Sequence, residues 1–434
     1  MIRATVIGAG LAGCEAAWQL ARRGVPVTLT DMKPDKRTPA HSSPLFAELV
    51  CSNSLKSDEL TNASGLLKAE MRAMDSLILR AADTTRVPAG SALAVDRDRF
   101  AAYITDTLAT HPLISIERYE AVTLPDPPAI IATGPLTSDA MSEAIASLPG
   151  LRKLSFFDAA APIVTRESLN DERVFAASRY GKGDADYINC PMTESEYDAF
   201  RDALLTAETT PAHGFEDGLL YEGCMPVESI AARGRLSLAY GPMRPVGLTD
   251  PRTGRRPFAA VQLRAENESG SLLNLVGFQT RLKWPEQKRV FGMIPGLESA
   301  EYARYGVMHR NTFINAPSTL NSDFEVRARP GLFIVGQLTG VEGYLPSAAS
   351  GLIAGITLGQ SLLKRESVLF PTFTALGALG RYVSAPNKDY QPMGIQYGII
   401  DMPDERFRDK RAKARRVAER SLEAIQAIAK SLED

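Results

Sequence analysis

The chain opens on a short apolar run starting at Ile2 or Arg3. Three glycines follow, Gly8, Gly10 and Gly13 in VIGAGLAG, and then a segment in which Ala12, Ala16, Ala17 and Leu20 recur at helical spacing up to Gly24. A second apolar run, VPVTLTD, closes on Asp31. Strand, glycine turn, helix, glycine stop, strand and terminal acid, in that order, predict a βαβ unit that binds a dinucleotide. The first glycine permits the tight turn, the second lets backbone approach a pyrophosphate, and the third allows close helix-to-strand packing. Free N–H groups at the helix start face the negative charge, so Ala9, Leu11 and Ala12 join the glycines as cofactor-binding candidates. Asp31 stands where a carboxylate would accept a ribose hydroxyl, which favours FAD or NAD over NADP.

Beyond Asp31 the pattern breaks into a polar stretch, MKPDKRTPAHSSP, and then FAELVCSNSLKSDELTNASGLLKAEM, which reads as loop, short helix, loop and longer helix. A connection this long is usually functional. Strand and helix patterns resume from about Ala92 through VDRDRFAAYITDTL to SIERYEAV. They end in PPAIIATGPLTS, where a buried-type strand runs into Thr133 and Gly134. From about Leu151 to Gly296, strand-like VQLR and LLNLVGF alternate with Gly/Pro turns and helical ESEYDAFRDALL, as in an α+β insertion. At GLFIVGQLTGVEGYLPSAASGLIAGITLG the first grammar returns, with a strand, Gly336 and Gln337, and a small-residue helix from about Ser347. The expected fold is therefore α/β: a discontinuous Rossmann-like FAD-binding domain, residues 1–150 and 297–434, interrupted by an α+β substrate domain at 151–296.

Composition narrows the setting. A chain of 434 residues exceeds one comfortable core, and a net charge of −2 with 44% hydrophobic residues gives no global bias towards nucleic acid or membrane. The early first strand leaves no room for a signal peptide and no apolar run is long enough to span a bilayer, so a cytoplasmic location is expected. Cys14, Cys51, Cys190 and Cys224 form no C-x-x-C pair, nor do they join a histidine at ligand spacing, so neither a disulfide scaffold nor a metal site is expected. Charge is local instead. Residues 405–420 carry eight basic and three acidic side chains, and Arg408, Arg411, Lys413, Arg415 and Arg416 on one helical run could track phosphates or form a solvated face.

Long blocks along nearly the whole chain resemble the folate- and FAD-dependent tRNA uracil-5 methyltransferases of the TrmFO family. They include VIGAGLAG, TPAH, FAELVCSNSL, LTNASGLLKAEMR, RVPAGSALAVDR, ATGPLTS, DYINCPMTE, CMPVE, GPMRPVGLTDPRTG, LVGFQTRLKWPEQKRVF, RYGVMHRNTFINAP and GVEGYLPSAASG. The resemblance implies that a one-carbon unit from 5,10-methylenetetrahydrofolate becomes the methyl of ribothymidine in the tRNA T-loop. It also implies that the flavin carries and reduces that unit, with NAD(P)H as reductant. Two departures are visible: Gln396-Tyr397 stands where an Asn-aromatic pattern is expected, and Thr30-Asp31 replaces an aromatic-Glu pair.

Such chemistry asks for a thiolate, because carbon 5 of uracil becomes nucleophilic only after addition at carbon 6. By resemblance Cys224, in EGCMPVE, is the nucleophile and Cys51, in ELVCSNS, an assisting thiol near the flavin. Cys14 and Cys190 read as packing residues. His309, in RYGVMHRNTF, matches a histidine associated with folate, whose ring could stack on the pterin; His41 has no firm role. Arg281 and Lys283, with Trp284 as a stacking surface, could hold folate carboxylates, tRNA phosphates or neither. Two other functions remain open on the residues alone: a flavin-dependent oxidoreductase acting on a small molecule, and a non-catalytic flavin-containing tRNA-binding factor. The oligomeric state is equally open.

Overall fold

The computed structural model describes residues 2–433 except 39, 152, 160, 182–183, 211–224, 307, 389, 406 and 408, with backbone only at 153–159, 308–310 and 410. Two sheets organise it. The first is parallel and five-stranded, in the order Leu332–Ile334, Ala129–Ile131, Ala4–Ile7, Val27–Asp31, Ile114–Arg118. The strands Leu332–Ile334, Ala129–Ile131 and Ala4–Ile7 are short and mostly apolar, as expected of strands covered on both faces, whereas the edge strand Ile114–Arg118 alternates between covered and exposed positions. The edge strand Leu332–Ile334 arrives from far downstream, so the Rossmann-like sheet is discontinuous in sequence.

The second sheet is antiparallel and six-stranded, in the order Phe175–Ala176, Tyr187–Met192, Ala259–Ala265, Leu272–Leu275, Ile163–Thr165, Tyr302–Arg304. It has its own apolar core, in which Tyr197, Phe200, Phe278 and Phe291 are fully buried. The long strands Lys153–Ala159 and Met308–Ile314 pair antiparallel with each other. A small third sheet, Ser54–Ser57, Ala92–Val95 and Arg86–Val87, flanks the first lobe.

The first helix, Leu11–Ala21, is buried on every side rather than amphipathic. The glycine-rich helix Tyr344–Leu362, which begins at Tyr344 and not near Ser347, lies directly on it. Even Glu15 is enclosed, accepting hydrogen bonds from the Ser76 hydroxyl at 2.6 Å, the Ile78 amide at 3.0 Å and the Gln19 side chain at 2.9 Å. Burial raises its pKa above the usual carboxylate range.

The short helix expected just before Cys51 does not form: residues 44–53 are irregular, and regular structure resumes only at the strand Ser54–Ser57. Tertiary contacts override the apolar pattern. Ala47 adopts φ 49° and donates its amide to the Ala9 carbonyl at 2.9 Å, and the carbonyls of Leu49 and Cys51 accept from Arg97. The C-terminal helix, Lys410–Ser431, buries Val417, Ser421 and Ile425 against the first lobe. Among the described residues no helix is long and apolar enough to cross a membrane.

Candidate functional site

The carboxyl ends of the parallel strands open into one cavity. Gly8 turns the chain out of the first strand at φ 98°, and its amide is tied to the Thr30 carbonyl at 2.7 Å. Gly13 packs so closely beneath this turn that a Cβ there would lie 1.8 Å from the Gly8 carbonyl oxygen. The result is a bare backbone ridge: Gly8, Ala9, Gly10, Leu11 and Ala12 line the cavity, and the helix begins immediately after Gly10. This is the geometry of an anion site at a helix N-terminus.

Asp31, 8% exposed, sits at the end of the adjacent strand. Its Oδ2 accepts the Ala9 amide at 2.7 Å and its Oδ1 the Lys33 amide at 2.9 Å, which fixes the carboxylate and leaves lone pairs for a ribose hydroxyl. Thr30 also lines the cavity, and its buried Oγ1 has no hydrogen-bond partner among the described residues. An orphaned hydroxyl, a carboxylate with free acceptor capacity and a helix start together fit a dinucleotide. Thr133 and Gly134 line the same cavity just beyond the strand Ala129–Ile131. Gly336 and Gln337 line it beyond the edge strand Leu332–Ile334, with the Gly336 amide donating to Ser350 Oγ at 2.7 Å and Gln337 to Glu342 at 2.6 Å. The sequence-derived dinucleotide residues are thus gathered in space, with Gly13 supporting the turn from below.

Cys51 is brought to the rim. Val50 and Tyr344 line the cavity, and the Cys51 amide donates to the Tyr344 hydroxyl oxygen at 2.7 Å. Its carbonyl accepts from Arg97 at 2.7 Å and from Arg304 at 2.9 Å. Arg97 is itself ion-paired with buried Glu266. Arg264 extends the clamp, donating to Ser52 Oγ at 2.8 Å and to Asn53 Oδ1 at 2.8 and 3.0 Å. Asn53 in turn bridges the Val95 and Ala265 carbonyls, both at 2.9 Å. Residues from both lobes therefore hold one loop. Tyr344 stays a neutral phenol, since burial pushes its pKa well above the ordinary value.

His41 also lines the cavity, its Nδ1 2.8 Å from Thr38 Oγ1. Desolvation lowers its pKa, with neighbouring Lys33 acting in the same direction, so the ring is neutral near pH 7. Cys14 and Cys190 are fully buried, with thiol pKa values raised by that burial.

Cys224 lies outside the described residues, as does Arg408. The backbone of His309 is on the long strand opposite Asp158. Arg411, Lys413 and Arg415 are exposed on the first turns of the C-terminal helix, whereas Arg416 is half-buried and 3.3 Å from Glu405. Arg281 and Lys283 are paired with Glu228 at 3.7 Å and Glu208 at 2.7 Å. The residues sequence reasoning missed are Arg97, Arg264, Arg304, Glu266 and Tyr344. Arg97 and Tyr344 open helices, Arg264 and Arg304 lie at the ends of strands and Glu266 just beyond one, and only the fold reveals that they converge. Among the described residues no cluster of His, Cys, Asp or Glu could hold a metal ion.

A discontinuous parallel sheet with a glycine-edged cavity at its carboxyl ends, carrying a second antiparallel lobe, defines a Rossmann-like α/β protein of two interlocked parts. The chain belongs to the family described as glucose inhibited division protein A, whose model matches residues 3–366. It is 56% identical over 429 residues to the methylenetetrahydrofolate–tRNA-(uracil-5-)-methyltransferase TrmFO of Anoxybacillus flavithermus, covering 99% of each chain. The TrmFO of Pelotomaculum thermopropionicum is 56% identical over 430 residues (99% of this chain, 98% of the relative), and that of Listeria monocytogenes EGD-e is 54% identical over 428 residues (98% and 99%). Among solved structures, Aquifex aeolicus GidA in its form II crystal matches with a TM-score of 0.72 at 14% identity, over 99% of this chain and 73% of that one. That likeness shows the fold.

Proposed function

We propose that this protein methylates carbon 5 of uracil in the tRNA T-loop, taking its one-carbon unit from 5,10-methylenetetrahydrofolate, with FAD in the cavity and NAD(P)H as reductant. One observation carries the reading: Cys51 is clamped at the rim of a dinucleotide cavity in a chain 56% identical over 429 residues to a protein named for this reaction. Asp31 would hold the ribose, and the helix start after Gly10 would hold the pyrophosphate. FAD, when bound, supplies the hydride equivalent that turns a methylene into a methyl.

The remaining steps belong to the chain. The Cys224 thiolate adds to carbon 6 of uracil, so that the ring attacks the one-carbon electrophile through carbon 5. Loss of the carbon 5 proton releases the one-carbon unit from its carrier as an exocyclic methylene on the ring, and addition of a hydride to that methylene makes the methyl and expels the thiolate. Cys51 assists beside the cofactor, its backbone fixed at both the amide and the carbonyl so that the thiol has a defined direction. His309 is assigned to the folate. Arg408, Arg411, Lys413, Arg415 and Arg416 are assigned to RNA phosphates. A cytoplasmic site of action belongs to the same reading, because the proposed substrate is tRNA.

The test is direct. Purified protein incubated with NADPH, methylenetetrahydrofolate and unmodified tRNA should produce ribothymidine, and Cys224→Ala should produce none. Turnover of the reductant at the same rate without RNA, and untouched by Cys224→Ala, would show instead an oxidoreductase acting on small molecules.

A further inference from the structure

Trp284 opens the helix Trp284–Phe291 and is 59% exposed, an unusual cost for the largest apolar side chain. It is not loose. Its ring stacks on Tyr305 with centroids 5.2 Å apart and planes at 12°, and Tyr305 stacks on Tyr302 at 4.7 Å and 7°. The Tyr302 hydroxyl donates to the Gln287 carbonyl at 3.2 Å, anchoring the inner end of this three-ring column to the same helix. The column is therefore a rigid pile of parallel rings whose outermost face is open to solvent.

Its place in the fold is specific. Arg304, between the two tyrosines in sequence, is one of the arginines holding the Cys51 carbonyl. On the other side, the strand-like segment leading into Trp284 receives both ends of the stretch that contains Cys224. Thr210 donates to the Arg281 carbonyl at 2.8 Å, and Val227, three residues after Cys224, donates to the Gln279 carbonyl at 2.7 Å. The column thus links the strand whose Arg304 holds Cys51 to the segment that anchors the residues flanking Cys224. One helical turn beyond Trp284, exposed Lys288 carries no ion pair among the described residues, whereas Arg281, Lys283 and Arg289 are each committed to a glutamate.

We propose that the open face of Trp284 is a stacking platform for an unpaired nucleobase of the RNA substrate, with Lys288 meeting the adjoining phosphate. The inference rests on the RNA-methylating function proposed above and adds where the RNA is held. A uracil in a folded loop must leave its stack to reach a thiol, and its neighbours then lose a stacking partner. A preformed aromatic face beside the site returns that contact at little entropic cost, because the column is already ordered.

The chain has two tryptophans, and the other, Trp18, is 9% exposed, so quenching by a macromolecule reports mainly on Trp284. Titrating the flavin-loaded protein with an unmodified T-arm RNA hairpin should quench tryptophan emission in the wild type and not in Trp284→Phe. In steady-state assays Trp284→Ala should raise the KM for RNA about tenfold, with kcat and the KM for methylenetetrahydrofolate changed less than about twofold. Trp284→Phe, which keeps a π face, should recover most of the loss. Lys288→Ala should lower the salt dependence of RNA binding by about one phosphate contact. An unchanged KM for RNA in a Trp284→Ala protein of normal flavin content overturns the proposal. So does quenching by methylenetetrahydrofolate alone with none by RNA, which would make the surface a pterin site. RNA-dependent quenching in a wild-type protein that forms no ribothymidine would leave the platform standing and overturn the parent function instead.

Discussion

Arg304 donates to the carbonyl of Cys51 at 2.9 Å, across 253 residues of sequence and from the antiparallel lobe to the loop that edges the cofactor cavity. Cys51 is thereby set by the fold of both lobes. Removing Arg304 leaves its carbonyl with Arg97 alone, and a small displacement of a reacting group costs heavily in rate. Arg304→Ala is expected to slow ribothymidine formation on the order of a hundredfold in single turnover, with flavin content close to wild type. Arg304→Lys should recover little, because an ammonium cannot reproduce the guanidinium fork. Wild-type rates in both variants would show that the clamp does not position the thiol.

The close contact of the two central helices is equally testable. A Cβ on Gly351 would lie 2.0 Å from the Ala12 carbonyl oxygen, inside the helix that begins at the cavity. Gly351→Ala must push the helix Tyr344–Leu362 outwards, and it should cost about 1–3 kcal/mol of stability while displacing Tyr344 and the glycine turn. The expected readout is a lowered flavin-to-protein absorbance ratio together with a lower unfolding temperature. A variant that keeps both would mean that the helices separate freely.

Glu70 gives a pH dependence with a definite sign. Its fully buried carboxylate accepts the amides of Ala375 and Leu376 at 2.7 and 2.8 Å and the hydroxyl of Ser421, so it joins three helices. Burial nevertheless raises its pKa from 4.5 to about 7. The folded protein then holds a proton that the unfolded chain has released between those values. Glu70 therefore contributes stability at low pH that is lost as pH rises from about 5 to about 7, roughly 3 kcal/mol in all. Relative to Glu70→Gln, the wild-type unfolding temperature should fall between pH 5 and pH 8. Parallel curves for the two proteins would contradict this assignment.

Much of the fold was legible because its signals are local. Gly8 to Asp31 carry a strand, a turn, a helix and a second strand in one short span, and Leu332 to Leu362 repeat the grammar. The failures are tertiary. The apolar run before Cys51 has helical spacing, yet Arg97 and Arg304 take the Cys51 carbonyl and Ala47 turns into the left-handed region, choices that no local pattern encodes. Tyr344 precedes the point, about Ser347, at which the sequence pattern starts the helix, and only folding carries it to the Cys51 amide. The glycines that edge the cavity announce themselves in sequence because the backbone they bend is their own. The clamp does not, because every member acts on a residue distant in the chain.

The central claim is that one carbon passes from folate to uracil beside Cys51 and Cys224. Supplying methylenetetrahydrofolate isotopically labelled in its methylene group, with NADPH and an unmodified tRNA transcript, tests it most directly. The account predicts that the label appears in the methyl of a single T-loop ribothymidine and disappears from it in Cys224→Ala. Label that never enters the RNA, under conditions where the reductant is consumed, would contradict it.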